Sequence, residues 1–102
     1  SVDIIKSGGY KLSALEIENT LLAHPQIAEV AIVGISDRTW GEAVAAVVAL
    51  KGEDDMTLED LRGWCDGKLS SYKVPKQLRV VGALPRNAMG KVVKPSLKPL
   101  FE

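Results

Sequence analysis

The stretch "IAEVAIVGISDRTWGEAVAAVVAL", Ile27 through Leu50, holds two runs rich in β-formers separated by Asp37-Arg38-Thr39-Trp40-Gly41. Two such runs joined by a short polar loop read as neighbouring strands of one sheet. Upstream, "SVDIIKSGGYKLS" reads as two extended pieces around Ser7-Gly8-Gly9, where paired glycines permit a tight turn. Ser13 then opens a helix: it can cap the free amides, Glu16 completes a capping box, and Leu12 with Ile17 forms a hydrophobic staple. Ala14, Ile17, Leu21 and Leu22 give the apolar stripe, and His24-Pro25 stops it.

Downstream, "KGEDDM" is an acidic surface turn, and Thr57 with Asp60 repeats the capping signal before a second helix. Leu58, Leu61, Trp64, Cys65 and Leu69 are expected on one face of it, with Trp64 and Cys65 in the core. "SSYKVPK" is a linker, "QLRVVGAL" a third strand, and "KPSLKPLFE" a last helix opened by Pro95. The predicted order is hairpin, α, β, β, α, β, loop, α. This is a small α+β domain, an N-terminal β-hairpin and a three-stranded sheet packed with helices, filling residues 1–102.

A chain of 102 residues suffices for one domain with a modest core, and 46% hydrophobic with 25% charged residues is ordinary globular composition. No apolar run reaches bilayer-spanning length, and no signal-peptide pattern opens the sequence. The single cysteine excludes an internal disulfide framework and makes no metal cluster with the lone His24, which reads as a helix cap or surface residue. Formal net charge is zero, yet residues 1–67 carry five Lys/Arg against twelve Asp/Glu, and residues 68–102 carry eight against one. Either the basic third faces an anion, or opposite faces attract within the fold.

The segment "PRNAMGKVVK", Pro85 through Lys94, places Lys91 after Gly90 between a strand and a helix. A P-loop would need glycine at Pro85 and Ser/Thr at Val92, so that reading fails. What remains is a lysine on a glycine pivot, a point charge able to reach a phosphate held elsewhere.

This segment resembles the last core motif of the adenylate-forming enzymes, which include acyl-CoA synthetases, aryl-CoA ligases, luciferases and peptide-synthetase adenylation domains. Only Met89 departs, where a small hydroxyl residue is commoner. "DIIKSGGYKLSALEIE", "VGISDRTWGEAVAAVV" and "LSSYKVPKQLRVVGALPRN" resemble further motifs of that family in the expected order. The resemblance implies the C-terminal lid domain, with the large ATP- and acyl-binding domain outside these residues and the lid alone inactive. Within the family the sequence looks most like the malonyl-CoA synthetase branch, whose animal members are mitochondrial. Medium-chain or aryl acyl-CoA synthetases and peptide-synthetase domains are the alternatives within the class, and the cytoplasm the alternative compartment.

By that resemblance Lys91 is the adenylation lysine, ATP, a carboxylic acid and CoA are the substrates, and Mg2+ is held outside these residues. Gly8 and Gly9 are expected beside the pantetheine chain of CoA and Lys11 near nucleotide phosphate. Trp40 is expected either against the CoA adenine or in the core. Tyr72 holds a corresponding aromatic position and Lys73 faces a CoA phosphate, unless both merely set the entry to the strand after Pro75. The rival from another class is a freestanding nucleic-acid-binding module. It requires aromatics interleaved with the basic residues, and among residues 73–102 Phe101 is the only one.

Overall fold

The computed structural model describes residues 3–102; Ser1 and Val2, at the start of the opening extended piece, lie outside the described residues. Strands β1 (Ile4–Ser7) and β2 (Tyr10–Ser13) pair antiparallel across Gly8-Gly9, whose φ angles are +57° and +85°. Positive φ at both central residues is what a two-residue hairpin turn matched to strand twist requires.

Helix α1 (Ala14–Leu21) follows at once. Ser13 Oγ accepts the Glu16 N–H at 3.2 Å, and Leu12 and Ile17 are buried together as the staple predicts. The return half of the capping box differs: the Glu16 carboxylate is turned to Lys73 at 2.8 Å. Helix α2 (Leu58–Cys65) has the full box, with Thr57 and Asp60 exchanging hydrogen bonds of 3.0 Å. Hydrogen bonds to the carboxylate from the Thr57 backbone N–H, and after it the Thr57 side chain, favour its ionised form and hold Asp60 below its ordinary pKa.

Strands β3 (Ile27–Asp37) and β4 (Gly41–Leu50) form a long antiparallel ladder from Ile27↔Leu50 to Asp37↔Gly41, with one register shift between Ile27 and Glu29. Strand β5 (Gln77–Val80) runs parallel to β4 along Ala45–Val48, and β1 meets the same edge where Ser7 pairs with Gly41. The hairpin thereby joins the three strands in one five-stranded sheet.

Side chains alternate along the ladder. Ile32, Val44, Ala46 and Val48 face Ile17, Leu21, Leu61 and Cys65 of the helices. Ala31, Val33, Ala45 and Val47 face the other way, against Leu84 and Leu97. Burial on both faces accounts for the near-continuous apolar runs. The layer over the second face is not the predicted last helix but two 3-10 turns, Lys94–Ser96 and Lys98–Phe101. Pro99 has no N–H to donate and crowds the preceding turn, so an α-helix opened at Pro95 cannot run through it.

The four ion pairs among the described residues all join the basic last third to acids near the start: Lys73–Glu16, Arg86–Glu29, and Lys94 with both Asp3 and Glu18. Much of the charge asymmetry is therefore answered inside the fold.

His24 differs from the helix cap or surface residue expected. It is buried, its Nδ1 accepts the Gln26 N–H at 3.0 Å, and its ring tilts against Trp64 with centroids 4.9 Å apart. Trp64 lies at the core margin, under the Lys68 ammonium at 4.5 Å, while Cys65 is fully buried. Burial, and after it the Lys68 charge, hold His24 below its ordinary 6.5. The unfolded chain takes up that proton more readily than the folded one. The stabilisation from neutral His24 is therefore complete above the unfolded value and lost as pH falls through the lower folded one. Melting temperatures followed from about pH 8 to 5 should decline more steeply in the wild type than in His24→Asn, which keeps an acceptor that does not titrate. Equal slopes would contradict this.

Candidate functional site

At one end of the β3–β4 ladder, Asp37 Oδ1 accepts the N–H groups of Thr39 and Trp40, both at 2.9 Å. This side-chain-closed turn pushes Trp40 outward, and Gly41 follows at φ +80°. Trp40 is 46% exposed, so it is not a core residue. The Gly8 N–H donates to its carbonyl at 2.8 Å, and its ring lies on Gly8 so closely that a Cβ there would be 2.7 Å from Cε3.

Across from it, Tyr10 and Tyr72 stack with ring centroids 4.1 Å apart and planes 9° off parallel. The Lys76 ammonium stands 5.0 Å from the Trp40 ring centroid, and Arg62 donates to the Pro75 carbonyl at 2.7 Å. Ser7, Tyr10, Trp40, Arg62, Tyr72 and Lys76 line a groove of about 240 Å³. Exposed aromatic rings beside two cations suit a flat ring that carries anionic groups.

The other end carries Lys91. Arg86 and Val92 form a β-bridge, the Val93 N–H donates to the Pro85 carbonyl at 3.0 Å, and Gly90 turns the chain at φ +81°. Inside this small hairpin Asn87 Oδ1 accepts the N–H groups of Met89 at 2.9 Å and Lys91 at 3.1 Å. Arg86 donates from Nη1 to the Gly90 carbonyl at 2.8 Å and from Nη2 to Glu29 at 2.7 Å, tying the loop to β3. Lys94 sits between Asp3 and Glu18, and the same Glu18 oxygen accepts the Ile32 N–H at 2.8 Å. Two basic residues thus brace the loop, while the Lys91 ammonium has no ion-pair partner among the described residues. Glu29 and Asp37 are eight positions apart on β3, so the Lys91 brace and the Trp40 turn are separated by roughly 26 Å of strand.

The structure brings Gly8, Trp40 and Tyr72 together, with Gly9 beside them in open space. It places Lys11 elsewhere. Lys11 pairs with Lys6 across the hairpin, on the face opposite Tyr10 and Leu12. Lys73 is turned to Glu16, whose hydrogen bond is the main cause of its raised pKa. Sequence reasoning did not single out Tyr10, Lys76, Asp37 or Glu42. Asp37 had a readable signal, an Asp opening a turn. Glu42 had none: its carboxylate accepts the Lys6 N–H at 2.8 Å and lies on Gly34, where a Cβ would meet it at 2.9 Å.

Fold and site together define a small α+β domain with a braced lysine loop at one end and an aromatic groove flanked by cations at the other. The chain belongs to the AMP-binding enzyme C-terminal domain family, which matches residues 16–91. It is 56% identical over 97 residues to the mitochondrial malonate–CoA ligase ACSF3 of Mus musculus, covering 95% of this chain and 17% of that protein. Against the malonate–CoA ligase of Arabidopsis thaliana it is 51% identical over 112 residues, covering 100% of this chain and 18% of that one. The crystal structure of apo MatB from Rhodopseudomonas palustris superposes with a TM-score of 0.91 at 34% identity, over 97% of this chain and 20% of that chain. The chain thus spans under a fifth of the length of these curated relatives. No helix among the described residues is long and apolar enough to cross a membrane.

Gly8→Ala and Gly9→Ala separate backbone strain from ring contact. Both force a Cβ into left-handed φ, costing roughly 1–2 kcal/mol each, but only the Gly8 methyl strikes Trp40. Gly8→Ala should melt lower than Gly9→Ala and shift Trp40 fluorescence, read in a Trp64→Phe background. Identical melts and spectra would contradict the ring contact.

Proposed function

We propose that this chain is the lid domain of an ATP-dependent acid–CoA ligase and serves two successive half-reactions with its two ends. The carrying observation is the braced loop that leaves Lys91 without an ion pair among the described residues, on the same rigid sheet as the aromatic groove but far from it.

In the first half-reaction a substrate carboxylate oxygen attacks the α-phosphorus of ATP and pyrophosphate leaves. Negative charge grows on the phosphate oxygens, and the Lys91 ammonium can meet it there. Because Gly90 and Arg86 fix the backbone, little reorganisation is needed at that moment. In the second half-reaction the CoA sulfur attacks the acyl carbonyl and AMP leaves. That step needs the lid turned, with Lys91 withdrawn and the groove presented. Trp40 then covers the adenine, Tyr72 walls the groove, and the bare Gly8-Gly9 turn lets the pantetheine chain pass. Lys76 and Arg62 supply positive charge for CoA phosphates. Lys73 reaches such a phosphate only by leaving Glu16, and Lys11 meets nucleotide phosphate from the hairpin's outer face.

The partner in both steps is the large domain of the same enzyme, which holds ATP, the acid and Mg2+. We infer malonate as that acid, supported by about 50–56% identity to proteins named malonate–CoA ligases, and the mitochondrion as the compartment that several of those names carry.

In the enzyme that joins this domain to its large domain, Lys91→Ala should slow adenylation by roughly 100- to 1,000-fold, as loss of a charge-stabilising donor does. Conversion of preformed acyl-adenylate and CoA should stay within about threefold, because Lys91 is withdrawn in that step. Pyrophosphate exchange and single-turnover thioester formation measure the two; equal losses would sink the division of labour.

A further inference from the structure

The Gly8-Gly9 turn is flanked by aromatic rings on two sides, and among them Tyr10 has no role in the two half-reactions described above. On one side the Trp40 ring presses on Gly8 and the Trp40 carbonyl takes the Gly8 N–H. On the other, Tyr10, the first residue after the turn, lays its ring flat on Tyr72 at 4.1 Å. No other aromatic pair among the described residues is stacked in parallel, and both residues are partly open to solvent, Tyr10 at 52% and Tyr72 at 37%. An exposed stack contributes little to burying the core. What it does geometrically is tie the hairpin turn to the Ser71–Lys73 turn across the mouth of the groove.

We propose that Tyr10 is a positioning residue for the thioester-forming step. Its stack on Tyr72 sets the distance between the Gly8-Gly9 turn and the opposite wall, and so the width of the channel that admits CoA. Released from the stack, the turn keeps Trp40 and the hairpin's own pairing but loses its tie to the opposite wall, and a wider groove grips the ligand less well. The stack covers one face of Tyr72, and the Lys73 ammonium stands over the same ring, 5.9 Å from its centroid. The proposal rests on the reading of this groove as the CoA face, and the experiment distinguishes the two.

In the full-length enzyme, Tyr10→Ala should raise the KM for CoA by about 2- to 12-fold, the range an aromatic pair contributes, with pyrophosphate exchange unchanged. Tyr10→Phe, which keeps the ring, should behave as wild type. Tyr72→Ala should match Tyr10→Ala or exceed it, and adding Tyr10→Ala to Tyr72→Ala should bring little further change, because the two act as one strut. A normal KM in Tyr10→Ala beside a raised one in Trp40→Ala overturns the proposal and leaves the CoA face standing. Normal values in both variants overturn the reading of the groove, and the proposal with it. Equal loss in both half-reactions with a lowered melting temperature would make Tyr10 merely structural. Tyr10→Phe as impaired as Tyr10→Ala would move the role from the ring to the hydroxyl, which also overturns it.

Discussion

The β3–β4 ladder is the constraint on which the rest depends. It is buried on both faces, so each face must be covered, and the two covers are different kinds of structure. The helices α1 and α2 close one side through Ile17, Leu21, Leu61 and Cys65. The irregular C-terminal segment closes the other through Leu84 and Leu97. Since the Lys91 loop belongs to that second cover, its position is set by packing on the sheet as well as by its own hydrogen bonds. The Trp40 turn is the ladder's own closing loop. Both functional ends are therefore rooted in one close-packed body, and neither can drift relative to the other without disturbing the sheet.

The two ends use charge in opposite ways. Near Lys91, Arg86 and Lys94 are neutralised by Glu29, Glu18 and Asp3, while Lys91, on the stiff support they make, has no ion pair among the described residues. At the groove, Lys76 stands over an aromatic ring instead of an acid. Exposed pairs such as these add little stability. Their effect here is to decide which cations remain available to a ligand.

Features governed by neighbouring residues were legible in the sequence. The Ser13 and Thr57 caps, the Leu12–Ile17 staple and the Gly8-Gly9 turn rest on contacts a few positions apart, and the β3–β4 pair on two adjacent runs joined by a short loop. The Lys91 loop was legible as a glycine-pivoted lysine. Features governed by distant partners were not. Glu16 left its capping box for Lys73, His24 was drawn under Trp64, and Tyr10 found Tyr72, all through pairings that no local pattern announces. The final segment departs from expectation for a different reason: Pro95 can open a helix, but Pro99 forbids the helix it would open.

The central claim is that one rigid domain carries two chemically separate ends. The most direct measurement is a two-by-two comparison in the full-length enzyme: Lys91→Ala and Trp40→Ala, singly and together, each assayed for pyrophosphate exchange and for the CoA dependence of thioester formation. Sites this far apart with no shared partner should give additive effects. Lys91→Ala should act on the first assay and Trp40→Ala on the second, each crossing over by less than about threefold, with the double variant showing both losses unchanged. Comparable losses of each variant in both assays, or a double variant no worse than one single, would contradict it.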